Sequence, residues 1–146
     1  LTNILPASDR NRLVRAFALC LGGYYKGGNT PDQRSRARDV FETVSESSPL
    51  NRVVLNLAMN TKAYDALAEE AMAALPQDSA LTDYLWAVIY GRKGARSHDF
   101  MDDMNSEDRL VACFKKDPSF IDIAAGDGDI VETIMKNARD RYENGE

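Results

Sequence analysis

The sequence predicts an all-α protein, and three observations carry that prediction. Apolar residues recur at helical spacing in one segment after another, as in Leu50, Val53, Val54 and Leu57 or in Leu110, Cys113 and Phe114. Prolines, glycines and capping residues punctuate these segments where helices should begin and end. No segment alternates apolar and polar residues, and none places hairpin-turn chemistry between β-branched runs.

Taken in order, a first helix is capped by Ser8 or Asp9. Its apolar arc is broad: Val14, Phe17, Ala18, Leu21 and Tyr25, widened by Leu13, Cys20 and Tyr24. Gly27-Gly28-Asn29 breaks it. Thr30-Pro31-Asp32-Gln33 then opens a second helix, with Thr30 as cap, Pro31 at the first helical position and Gln33 completing a capping box. That helix buries Ala37, Val40, Phe41 and Val44 and ends before Pro49. A short third helix carries Leu50, Val53, Val54 and Leu57 and ends near Asn60. Thr61 caps a fourth, with Tyr64, Leu67, Ala68, Ala71 and Leu75 inward and Pro76 closing it. The fifth holds Leu81, Tyr84, Leu85 and Val88, flanked by Trp86 and Ile89, and is expected to end at Gly91 and Gly94. The pattern lapses from Ala95 to Asn105, which reads as an ordered polar loop. A sixth helix starts at Asn105 or Ser106 and stops at Asp117-Pro118. Phe120, Ile121 and Ala124 make a short seventh. Asp129 and Glu132 form a second capping box for a last helix that turns Ile130, Ile134 and Ala138 inward and frays at Asn144-Gly145.

The helices repeat in pairs. Phe41, Val44 and Pro49 share their spacing with Ala68, Ala71 and Pro76, and again with Leu110, Cys113 and Pro118. Ala37, Tyr64 and Ser106 stand four residues before each set, and Leu21, Gly22 and Tyr25 correspond to Trp86, Ala87 and Tyr90. From Arg12 to Pro118 this resembles the tetratricopeptide (TPR) repeat, whose pattern is W-x2-L-G-x2-Y, A-x3-F and P over about 34 residues. Small residues at Gly22 and Ala37 would let paired helices approach closely. The units are degenerate: Ala18 stands where the family has Trp, the second unit is short and the third long. The resemblance implies one domain over 1–146, an α-α superhelix of about four antiparallel helix pairs with a C-terminal capping helix.

Composition bounds function. The chain has 146 residues, 44% hydrophobic and 28% charged, enough for a real core. A net charge of −5 disfavours general binding to nucleic acid or anionic membrane. No apolar run is long enough to span a bilayer. The chain begins at Leu1 without an initiator Met or a signal pattern, as expected of a trimmed or mature fragment, so both a cytoplasmic and a cell-envelope or periplasmic location stay open. Cys20 and Cys113 each fall in an apolar helical stripe and read as free core thiols.

Candidate chemistry is sparse. His98 with Asp99, Asp102 and Asp103 lacks the helical spacing of a zinc site and reads as a solvated loop. Asp127-Gly128-Asp129 lacks the remaining ligands of a calcium loop and reads as capping. Arg34 and Arg38 share a face that could hold an anion, although a solvated face explains them as well. No nucleophile–base grouping, phosphate loop or HExxH occurs, so neither an enzyme nor a cofactor is expected.

What the repeat resemblance implies instead is a concave surface for a peptide or protein. Its lining would include Leu19, Gly23 and Lys26 of the first helix, Asn56 and Asn60 of the third, and Tyr84, Val88 and Arg92 of the fifth. The plainer reading of Tyr84 and Val88 is packing against a neighbouring helix. The alternatives to a binding module are a structural domain of a larger cell-envelope protein and a helical sensor of a small ligand.

Overall fold

The computed structural model describes residues 49–59, 61–126 and 130–146. Every regular element among them is helical, and no strand occurs there. The elements are α1 (Pro49–Met59), α2 (Lys62–Ala71), a 3-10 turn (Met72–Ala74), α3 (Ala80–Ser97), α4 (Phe100–Lys116), α5 (Phe120–Ala125) and α6 (Glu132–Glu143). The chain forms two compact units, Leu1–Pro76 and Gln77–Glu146. No described helix is long and apolar enough to cross a membrane. The expected first two helices, with Cys20, Arg34, Arg38 and the Thr30 cap, lie outside the described residues, as do Asn60 and Asp127-Gly128-Asp129.

In the first unit, Pro49 occupies the first helical position of α1, where its missing N–H costs nothing. Leu50, Val53, Val54 and Leu57 are buried at the expected spacing. Thr61 caps α2 as expected: its backbone is extended and its hydroxyl accepts the Tyr64 N–H at 3.3 Å. The buried face of α2 differs from expectation. Tyr64 and Leu67 are exposed, and the inward positions are Asp65, Ala68, Met72 and Leu75. α2 is alanine-rich with apolar residues on several sides, so periodicity alone does not select its buried side. The packing of α1 against α2 and the 3-10 turn does.

In the second unit, Ser79 caps α3 by accepting the Thr82 N–H at 3.3 Å. Tyr84, Leu85, Val88 and Ile89 are buried, and the Tyr84 ring lies 5.5 Å from that of Phe120. α3 packs along α4, and α4 along α6. Leu110, Cys113 and Phe114 of α4 are fully buried, and Ile130, Ile134, Met135 and Ala138 also face inward.

Three boundaries depart from the sequence reading. α3 does not stop at Gly91 or Gly94; it runs through both to Ser97. Both glycines are buried, and a Cβ on Gly94 would collide with the Asp103 carboxylate of α4, so this glycine serves close helix approach rather than termination. The stretch 95–105 is therefore not a loop. His98, in the left-handed region (φ 57°), and Asp99 alone turn the chain into α4, which begins at Phe100 and not at Ser106. At the far end, α6 starts at Glu132 after Val131, with no side-chain cap bond. Its C-terminus is closed rather than frayed. Glu146 N–H donates to Arg141 C=O at 3.0 Å and Gly145 N–H to Tyr142 C=O at 3.1 Å, with Gly145 at φ 80°, a Schellman motif.

Candidate functional site

The first turns of α4 combine exposed apolar surface with three aspartates, Asp99, Asp102 and Asp103. Asp99 builds the corner: its Oδ1 accepts the Met101 N–H at 2.9 Å. The Ser97 hydroxyl accepts the Asp99 N–H at 3.1 Å and sits 3.2 Å from Asp102 Oδ2. His98 N–H donates to Gly94 C=O at 2.8 Å, closing α3. The backbone is thus pinned, yet Phe100, Met101 and Met104 are 70%, 57% and 42% exposed. At one, four and three residues apart, they share one side of the helix.

Further along, α4 is held by charge. Asp83 of α3, only 3% exposed, receives Lys116 Nζ at 2.6 Å and Arg109 Nη1 at 3.1 Å. Lys116 also reaches Asp78 at 3.3 Å. These carboxylates hold the Lys116 ammonium above its ordinary pKa, chiefly through the Asp83 hydrogen bond. The Arg109 guanidinium lies 5.6 Å from the Trp86 ring centroid, Trp86 stacks on Tyr90 at 5.4 Å, and Lys93 stands over Tyr90 at 5.9 Å. The Trp86 indole N–H is buried and meets no acceptor among the described residues. From α6, Arg141 Nη1 spans Glu107 at 2.8 Å and Asp108 at 2.9 Å. Cys113 is a free, buried thiol, as expected, and burial, then the charges of Asp83 and Asp117, push its pKa far up.

The expected partner-binding residues distribute differently. Tyr84, Val88 and Arg92 are buried, which corrects the expectation that they project into an open concave face. The long α3 buries residues on most of its circumference, so the outward side assigned by repeat register is covered. Asn56 is half-buried and its side-chain amide donates to Arg52 C=O of its own helix at 2.8 Å. Leu19, Gly23, Lys26 and Asn60 lie outside the described residues. His98, Asp99, Asp102 and Asp103 belong to the helical corner: Asp99 caps, Asp102 receives Ser97, and Asp103 packs beside Gly94. Sequence reasoning passed over Phe100, Met101 and Met104 because an apolar residue facing water contributes nothing to a buried stripe. The available signal was Asp99 followed three residues later by Asp102, an acidic helix start. Comparison of this chain with protein-family models, with curated proteins and with solved structures finds no match.

Proposed function

We propose that the chain is a non-catalytic helical module that binds a protein partner through the exposed corner at the start of α4. The observation that carries this reading is the contiguous exposure of Phe100, Met101 and Met104 on a pinned backbone. Aromatic and methionine side chains are enriched at protein interfaces, and methionine adapts to varied apolar partners. The groups with chemical potential are committed to structure: Asp83 is doubly paired, and burial disfavours the Cys113 thiolate.

Descent from degenerate TPR-like repeats is part of the proposal. Its support is the contact of Ser106 with Ala87, whose register matches Ala37 and Gly22: the Ser106 hydroxyl donates to Ala87 C=O at 2.7 Å. The burial of Tyr84, Val88 and Arg92 favours a second reading, in which the helices order neighbouring domains of a larger cell-envelope protein.

The test uses a partner recovered from the native host and re-bound in purified form by calorimetry. Phe100→Ser with Met104→Ser should weaken binding by about tenfold or more with the melting temperature unchanged. Unaltered affinity would remove the corner from the interface and leave the structural-domain reading in first place.

A further inference from the structure

We propose that Met101 and Met104 form a paired oxidation site: hydrogen peroxide converts both thioethers to sulfoxides and turns the start of α4 from apolar to polar while the fold stays intact. A methionine sulfur attacks one peroxide oxygen, so that an S–O bond forms as the O–O bond breaks. The second oxygen leaves as hydroxide, takes the proton of the first and departs as water. Sulfur gives up an electron pair and the peroxide accepts it, so no further reactant is needed. The product is a polar sulfoxide, which methionine sulfoxide reductases return to the thioether.

The fold sorts the methionines by access. The step needs a sulfur that peroxide and water can reach together. Met72 and Met135 are buried, whereas Met101 and Met104 stand 57% and 42% exposed, three residues apart on one side of α4 with the exposed Phe100. The backbone there does not depend on their side chains. Asp99 Oδ1 accepts the Met101 N–H, the Asp99 carbonyl accepts the Asp102 N–H at 3.1 Å, and Asp102 and Asp103 meet Ser97 and Gly94 of α3. A sulfoxide at Met101 or Met104 therefore faces solvent and disturbs no packing. At Met72 or Met135 it would carry a polar oxygen into the core. The consequence for a partner rests on the reading of this corner as the binding surface: a sulfoxide oxygen holds water that an apolar contact must strip away, so oxidation weakens binding there.

The whole chain, treated with dilute hydrogen peroxide, quenched at intervals with free methionine and digested for mass spectrometry, tests this. Met101 and Met104 should gain oxygen about tenfold faster, or more, than Met72 and Met135, and the rates should converge in denaturant. The oxidised chain should melt as the untreated one does and elute earlier from a hydrophobic-interaction column. Met101→Leu with Met104→Leu should show no peroxide-induced shift on that column, which excludes the cysteines as its source. Oxidation of Met72 or Met135 at the same rate in the native chain would overturn the site. So would a lowered melting temperature, an unchanged retention, or a shift that survives the leucine pair. With the purified partner, oxidation should weaken calorimetric binding by about tenfold or more. Unchanged binding of the oxidised chain, with Phe100→Ser and Met104→Ser still weakening it, would overturn the switch and leave the binding surface in place. No effect of either would overturn the switch and the binding surface together.

Discussion

The two ends of α4 are built on opposite principles. From Ser106 onward the helix is bonded to its neighbours on two sides: Ser106 to the Ala87 carbonyl, Arg109 and Lys116 to Asp83, Glu107 and Asp108 to Arg141, with Leu110, Cys113 and Phe114 fully buried between. From Phe100 to Met104 the backbone is just as regular, yet the large apolar side chains face water. The difference teaches that order and burial are separable within one helix. Caps and the turns that follow hold the first part in place, because a helix propagates from an anchored segment at little further entropic cost. Side chains at that end need contribute nothing to stability and are free for another use.

Mutations that separate the two ends should rank accordingly. The largest effect is expected from Phe114→Ala, a fully buried aromatic, at about 3–5 kcal/mol of destabilisation in denaturant unfolding. A loss under roughly 1 kcal/mol would mean that the anchored end is not a packed core. Asp83→Asn comes next. It leaves Arg109 and Lys116 without their shared carboxylate, but these cations are 37% and 35% exposed and water can partly reclaim them, so about 1–3 kcal/mol is expected.

The same pair gives a pH signature. Lys116 has its pKa raised by folding, so its contribution is fully present below the ordinary lysine value of 10.5 and is lost as pH rises through the higher folded value. Thermal melts of the wild type should therefore lose stability in that alkaline range, and Asp83→Asn should lose less. Parallel curves would show that the pair is not coupled to folding. Ser106→Ala should cost about 1 kcal/mol, the net worth of one buried hydrogen bond. Smallest of all, Phe100→Ser should change stability by no more than about 0.5 kcal/mol; a large loss would show that the bare end is structural after all, and the contrast would collapse.

The all-α class and most helix positions were legible because buried stripes and caps write themselves into periodicity. Leu50 through Leu57, the Thr61 cap, Leu110 with Cys113 and Phe114, and the stop at Asp117 stand as expected. Failures occurred where a residue type serves a purpose other than its commonest one. Gly94 looked like a terminator and is a contact point for Asp103. The polar run 95–105 looked like a loop because two helix ends meet there with their solvated sides showing. Tyr64 and Leu67 looked inward because an alanine-rich helix offers several plausible faces. The candidate site was illegible for the same reason: Phe100, Met101 and Met104 lie within that misread run, and exposure is a property of the packed molecule, not of spacing. Tyr84, Val88 and Arg92, expected on an open side, are buried, while the Ser106 hydroxyl bonds to the Ala87 carbonyl across α3 and α4. Spacing along a helix says which residues share a side, whereas accessibility depends on everything else that packs around it.

The burial of Cys113 makes the second unit its own clock. A thiol reagent attacks only the thiolate, and here the closed state both hides the sulfur and disfavours its ionisation. Labelling must therefore wait for α4 to part from its neighbours, and its rate in a Cys20→Ser background reads how often that happens. At low reagent the rate should follow the fraction of molecules that are open, and at high reagent it should level off at the opening rate itself. A single natural atom would then report the breathing of the helix that carries both the core and the proposed docking corner.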